Sequence, residues 1–586
     1  MPRWTGASTV LAMAIAASGL LAHAEPPTAL LGGLTEPAAV RPGANRLGSG
    51  GGFEAGSAAW SGGPGWDLDR QITHTGAASY RRETGSATAT TTVALRPGVY
   101  RVSAWVKTRE LAEGIRVRLD IGPAAQRWFT TEIASGTADW RRYELTDVVV
   151  PSPGAVTLML EADAGTVGTA WFDDVRLEEQ LPAPLETFLL YPNFRGVMFD
   201  DGPPTLRFDL HVTPPEGDVH RYSVRGLLRE EATGEVVAAR SYGARASFVA
   251  ELDGRAMRLG TSYRATFALI DDASGAPVHT SPAYRVWRAP TSARASLPVS
   301  LDPDGRVLVK GVPRFVLGGE HPGIGRRTRA ASVKVTVVDA CAPTAEAAFA
   351  RYDDLRRRDA GAVTVAVVGA TELRRWADAA DVVGADAQPM FGPEPTSGYD
   401  HRAVAQATAR ARLAVRDARP VVSVLPFAPL SSLGRWPTRS ELRSHAYMAV
   451  VEGARGLWWS SVGEGGCGAD CPEAARHLDD LHAVVDELAA LEPALMADDT
   501  ETALVGQSNS NIKTKVKVVN GKGFVFAFNS AGSRQSATFT WRTVPGTVAV
   551  HAEGRALVAS GRAFSDAFAP FAAHVYVVEP AVTGAH

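Results

Sequence analysis

The stretch Thr169-Ala-Trp-Phe-Asp-Asp-Val-Arg-Leu177 decides the reading of the N-terminal third of the chain. In an extended strand alternate residues share a face, so Trp171, Asp173, Val175 and Leu177 are expected to point the same way. Three of them are core residues, Trp171 included, and the fourth is a carboxylate. Burying an unpaired carboxylate is costly, so such a site should supply a cation or hydrogen-bond donors. Asp174, one step on, is expected to face solvent. Around this stretch lie Tyr100–Thr108 (YRVSAWVKT), Ile115–Gly122 (IRVRLDIG) and Ala155–Asp163 (AVTLMLEAD), each alternating apolar and polar residues. That period, with no helical segment between them, predicts a β-sandwich over 43–180.

The whole chain has 586 residues, too many for one core, and its net charge of −3 argues against nucleic acid as a partner. Its 57 Gly and 37 Pro fit β-modules joined by turns. Residues 1–24 carry one Arg, a short apolar run and Ala22-His23-Ala24, the pattern of a secretory signal peptide cleaved after Ala24. The expected location is therefore secreted or periplasmic, with no membrane span. Three cysteines remain, and in an oxidising compartment Cys467 and Cys471 either close a small loop or stay as free thiols, with Cys341 unpaired.

Residues 25–42 read as a low-complexity linker. A second all-β stretch, 186–290, has the size and pattern of an Ig-like β-sandwich and carries no catalytic motif, so it reads as a spacer. From 297 to 498 the pattern changes: a hairpin leads into apolar strands (VKVTVVDA, AVTVAVVGA, DVVGADAQP, PVVSVLPFA, GLWWSSVG) that alternate with amphipathic helical stretches. Continuous apolar strands separated by such helices indicate a parallel α/β sheet. About six strands are counted, whereas a full (β/α)₈ barrel needs eight and roughly 250 residues, so the expectation is a shortened barrel. Residues 500–586 return to strands, a C-terminal β-sandwich.

Two parts of the chain resemble known families. Gly51–Glu54 (GGFE), His74–Arg81 (HTGAASYR), YRVSAWVKT and AWFDDVRLEE occur in the order seen in carbohydrate-binding modules of families four, nine and twenty-two, the jelly rolls of secreted glycanases. The resemblance implies a polysaccharide or oligosaccharide partner and a structural calcium ion. Its ligands would be the Glu54 and Asp173 side chains, with backbone carbonyls near Gly52 and in the His74–Gly76 turn, a donor set calcium accepts. The alternative for Asp173 is that it caps a turn or meets an arginine such as Arg81. Sugar sites need flat apolar platforms flanked by hydrogen-bonding groups. Trp105 lies opposite the core set Tyr100, Val102, Ala104 and Val106, and Trp128, Arg118 and Glu161 also fall on outward parity. These four are the candidate carbohydrate contacts, each Trp having the alternative of packing under a loop.

The region from Leu297 to Pro580 resembles, with gaps, clan-A-type glycoside hydrolases. DGRVLVKGVPRFVLGGEH is similar to their first strand, DVVGADAQPM to a later one, and RWPTRSELRSHAYMAVVEGARGLWWSS to the segment with the last helix and strand. The resemblance implies hydrolysis of O-glycosyl bonds by a carboxylate pair. The expected acid position is occupied by Ala340, after Asp339, and PVVSVLPFA holds no Glu. From His321 to Val333 the chain is too short for two further β/α units. Active groups in such sheets sit at the C-terminal ends of strands, where Glu320, Asp339, Asp386 and Glu464 fall. They are the candidate catalytic residues, each with the alternative of capping a helix or strand end. Tyr399, Trp436, Trp458 and Trp459 are candidates for a sugar subsite, with Trp458 or Trp459 alternatively in the core. Two functions remain: a secreted polysaccharide-binding glycoside hydrolase, or a glycan-binding protein whose barrel is not catalytic.

Overall fold

The computed structural model describes residues 32–36, 41–83, 88–121, 127–131, 133–150, 153–162, 166–215, 217–319, 335–338, 345–368, 377–386, 401–428, 436–460 and 474–580. The proposed signal peptide, all three cysteines, Tyr399 and the candidates Glu320, Asp339 and Glu464 lie outside these residues. No helix among the described residues is long and apolar enough to cross a membrane. The chain is mostly β, arranged in several sheets.

The first module is one nine-stranded sheet wrapped around a core that includes Phe53, Tyr80, Tyr100, Leu119, Leu158 and Phe172. YRVSAWVKT and IRVRLDIG, read as two strands, are the halves of one 24-residue strand, Gly98–Ile121. Its first half pairs with Thr169–Leu181 and its second with Gly154–Ala162. The bend falls where Glu110 takes a left-handed φ of 51° and the register against Ala134–Val150 shifts, because an irregular residue lets one strand serve both walls.

The second module is a sandwich of a seven-stranded and a three-stranded sheet over a core with Phe208, Tyr263 and Phe267. Part of the stretch read as linker takes part in both modules: Gly33–Leu34 pairs with Tyr284–Ala289, and Arg41–Asn45 pairs with Thr169–Leu181. This module is also more than a spacer. The buried Arg195 guanidinium meets Asp381 at 2.6 Å and donates to the carbonyls of Ala360 and Ala362, beside the parallel sheet.

A hairpin unit, Val299–Leu301, Val307–Val309 and Val312–Arg314, leads into the α/β region. Six strands there pair in parallel in the order Val316–Gly319, Gly456–Ser460, Val421–Pro426, Val382–Asp386, Val363–Val368, Val335–Val338. This is the cyclic order of a barrel opened between its first two strands. The expected helices are present as Ala345–Arg358, Arg402–Ala414 and Arg439–Val451, the last started by a Thr438–Glu441 capping box. A further helix, Ala474–Ala490, follows. The C-terminal strands form a three- and a five-stranded sheet. Phe526, Phe528 and Val575 of this sandwich share a core with Leu442, Tyr447 and Trp459 of the α/β region.

Candidate functional site

The strand Thr169–Leu181 breaks the strict alternation expected of it. Ala170 and Phe172 face the module core, and so do Val175 and Leu177. The switch in parity occurs at Asp173–Asp174, where the register against Gly98–Ile121 shifts and Asp174 has a φ of 46°. Two residues fit where one would pair, and aspartate tolerates the left-handed region better than most side chains. Trp171 and Asp173 therefore lie on the outer face, opposite Val175 and Leu177. Trp171 is buried there rather than in the core, its Nε1 donating to Asp69 at 2.9 Å and the Arg109 guanidinium over its ring.

The 71–78 turn covers Asp173. Asp173 Oδ2 accepts from the backbone N–H groups of His74 at 2.8 Å and Thr75 at 3.2 Å, and Oδ1 accepts from that of Asp174 at 2.7 Å. Turn capping is thus the observed role of the three offered for this side chain, while Arg81 lies instead near Asp67, Asp69 and Glu83. Burial pushes the Asp173 carboxyl above its ordinary range; the three N–H groups work against this, and the adjacent Asp174 adds to it. Asp174 does not face open solvent. It accepts from Thr75 Oγ1 and lies 2.8 Å from His74 Nδ1.

Glu54 holds the far end of the same turn, accepting from the Ala77 and Ala78 N–H groups at 2.8 and 3.4 Å. Gly76 permits this: its φ is 64°, and a Cβ there would lie 2.1 Å from Glu54 Oε1. Gly52 follows a short helical turn, Gly48–Gly51, in which a Cβ on Gly51 would lie 1.8 Å from the Val175 carbonyl. Both carboxylates proposed for calcium thus grip one turn. Among the described residues no group of three or more His, Cys, Asp or Glu side chains is placed to hold a metal. The donor set fits a calcium ion in one respect: Asp173 is buried and no basic side chain pairs with it among the described residues. Backbone carbonyls would have to supply most of the shell.

Above the turn is an aromatic surface. The His74 ring stacks on Trp105 at 3.9 Å with planes 16° apart, and Trp140 meets His74 edge-on at 5.6 Å. Trp105, His74 and Trp140 are all partly exposed. Lys107 paired with Asp139, and Arg101 paired with Glu178, flank them. Such a surface offers flat apolar faces ringed by donors and acceptors, the chemistry of a pyranose platform.

The other carbohydrate candidates lie on the second half of the long strand (Arg118) and on the two strands paired with it there (Trp128 and Glu161). Arg118 bonds Asp120 at 2.5 Å and Glu161 at 3.2 Å, and Glu161 also receives Arg116 at 2.7 Å. The structure brings Arg118 and Glu161 together in this ion-pair network but sets Trp105 on the half that faces Thr169–Leu181. Trp128 is placed in the backbone ladder opposite Asp120. Sequence reasoning missed Trp140 and the His74 ring. The signal for Trp140 was its parity with Arg142 and Glu144, opposite the buried Tyr143 and Leu145.

In the α/β region Asp386 is exposed and ends its strand, as expected. Trp459 and Trp436 belong to the core, Trp436 packing on Phe427 and His477, and Trp458 is partly buried against a second cluster. Trp459, on its strand, and Trp436, just before the helix Arg439–Val451, are therefore packing residues in the core shared with the helices and the C-terminal sandwich.

No family model and no curated protein matches the chain. Three solved structures resemble parts of the chain distantly. TmCBM61, solved in complex with beta-1,4-galactotriose, is 22% identical over 23% of this chain and 99% of its own length, with a TM-score of 0.19. An Anoxybacillus alpha-amylase is 12% identical over 41% of this chain, which spans only 57% of the amylase, with a TM-score of 0.29. A β-glucuronidase from Ruminococcus gnavus is 10% identical over 77% of this chain and 90% of its own, with a TM-score of 0.28. At these identities and TM-scores the likenesses assign no activity to this chain.

Proposed function

We propose that this chain is a secreted carbohydrate-active protein whose N-terminal module docks on polysaccharide through the Trp105–His74–Trp140 surface. The observation that carries this reading is the partly exposed stack of His74 on Trp105, with Trp140 at its edge, held in place by Asp174 and the turn beneath. A preformed aromatic surface loses little side-chain entropy when a sugar ring settles on it. Glu54, Asp173 and the backbone near Gly52 would hold a calcium ion under the turn, and that ion would supply the positive charge that Asp173 lacks.

The barrel is the proposed place of glycoside hydrolysis, at the rim where Asp386 ends its strand and where Glu320, Asp339 and Glu464 fall in sequence. One observation favours the second reading, binding without hydrolysis. The Val421–Pro426 strand runs into buried Phe427 and Ala428 and brings no carboxylate to the rim. The experiment is a panel of insoluble and soluble polysaccharides incubated with the full chain and with Trp105→Ala. Retention by at least one glycan, lost in Trp105→Ala, supports docking; retention by none overturns it. Reducing-sugar release that disappears in Asp386→Asn, Glu320→Gln or Glu464→Gln supports hydrolysis, and release unchanged in all three removes those assignments.

A further inference from the structure

The base of the barrel holds a cavity of about 320 Å³. It lies at the N-terminal rim of the parallel strands, lined by Phe315, Pro420 and Arg455, the residues just before or near the start of three of them. Barrel chemistry belongs to the opposite rim, so this is a separate place. The facing wall is the Ile512–Val519 strand of the C-terminal sandwich. Val516 points into that sandwich's core, and its neighbours Lys515 and Lys517 line the cavity.

Two lysines there share one carboxylate. Lys515 Nζ and Lys517 Nζ each lie 2.9 Å from the Asp499 carboxylate, one on each oxygen. Lys517 is buried, its side chain 3% exposed, and its ammonium also donates to the Ala497 carbonyl. Arg455 makes no ion pair among the described residues; its Nη2 donates only to the main-chain carbonyl of Asp304, at 3.3 Å. The other arginines on the wall are already matched, Arg412 by Asp417 and Arg419 by Asp378. The Asp304 carboxylate lies 3.2 Å from Arg306, which also pairs with Asp302 and Asp498. Arg455, Lys515 and Lys517 thus line one cavity, and Asp499 is the only carboxylate that pairs with any of them among the described residues. Burial lowers the Lys517 pKa, Asp499 opposes this, and the nearby Arg455 and Lys515 charges lower it further. Burial raises the Glu452 pKa, and the nearby Lys513, Arg412 and Lys515 charges oppose this. An arrangement of this kind is stabilised by an added anion, since like charges close together in low dielectric repel strongly.

We propose that this cavity binds a small oxyanion, the carboxylate or phosphate group of a soluble ligand, through Arg455, Lys515 and Lys517. Arginine suits such a group because its fork matches two oxygens at once. Binding there would tie the C-terminal sandwich to the barrel base.

The test is thermal unfolding of the full chain with inorganic phosphate or with glucuronate, ionic strength being held constant with sodium chloride. A saturable rise of about 2–4 °C is expected with one or both probes. A response to phosphate alone assigns a phosphate-bearing ligand, and a response to glucuronate assigns an acidic sugar. The rise should vanish in Arg455→Gln and in Lys515→Gln, two variants on separate domains whose folding is checked by circular dichroism. No saturable rise with either probe, or a rise of equal size in both variants, overturns the proposal.

Discussion

Asp173 in the first module and Asp381 in the α/β region are both buried, yet they are held in opposite ways. Asp381 receives the Arg195 guanidinium, the Tyr352 hydroxyl and both the N–H and hydroxyl of Thr364. Burial alone would raise its pKa, but Arg195 and the Thr364 donors together hold it below the ordinary 3.8. Asp173 receives only backbone N–H groups among the described residues and has an acidic neighbour, so burial wins and its pKa rises. The two sites differ in that a guanidinium in bidentate contact adds a full positive charge beside Asp381, which the N–H donors around Asp173 do not. The Asp381 site is complete with the residues present. The Asp173 site is closed by backbone N–H groups alone, and the proposed calcium ion would add the charge partner.

The largest expected effect follows from breaking the complete site. Arg195→Ala leaves Asp381 buried without its partner and should destabilise the chain by about 3–5 kcal/mol in urea unfolding. A loss below about 1 kcal/mol would mean that the second module is a spacer after all. Calcium comes next. In excess calcium, at roughly a hundred times the dissociation constant, the first module should gain about 2.7 kcal/mol over chelated protein. Asp173→Asn should remove that gain, and the chelated variant should be less stable by about 1–3 kcal/mol, since the amide NH2 cannot accept from the N–H groups that cap both carboxylate oxygens. Equal stability of the unmodified chain with and without chelator would break the comparison.

A pH prediction separates the two sites further. The Asp381 pKa is depressed on folding, so its contribution is present above the ordinary value of 3.8 and is lost as pH falls through the folded value. Acidification below about pH 4 should therefore destabilise the natural chain more steeply than Asp381→Asn. Parallel acid limbs in the two proteins would contradict this. The smallest effect is expected at the edge of the aromatic surface. Trp171→Phe removes the donor to Asp69 and should cost about 1 kcal/mol, with glycan retention unchanged.

Much of the architecture was legible in the sequence for physical reasons. Alternation at period two marked the sandwiches, and continuous apolar runs such as Val421–Pro426 marked strands buried on both faces. Alternation failed at Asp173–Asp174, because a bulge moves every later residue to the other face and leaves no periodic trace. The sign available was an Asp-Asp pair, a residue type that tolerates φ > 0. The long Gly98–Ile121 strand was read as two because a bend at Glu110 looks like a turn in one dimension. Arg195 carried no signal, since its partner Asp381 is remote in sequence and only the fold brings them together. The candidate site was half legible: Trp105 by parity, His74 only as part of a turn motif, and Trp140 only through its parity with Arg142 and Glu144. Arg118 and Glu161 satisfied the parity rule, but a pattern of faces does not reveal that an ion-pair network already occupies them.

The central claim is that the Trp105 end of the long strand, not the Arg118 end, meets the glycan. Affinity electrophoresis of the full chain through gels containing each retaining polysaccharide tests it most directly, with Trp105→Ala, Trp140→Ala and Glu161→Gln run beside the natural chain. The account predicts that the two tryptophan variants migrate at least tenfold less retarded, a loss of about 1.4 kcal/mol in binding, while Glu161→Gln is retarded like the natural protein. Retardation that survives in Trp105→Ala and disappears in Glu161→Gln would contradict it.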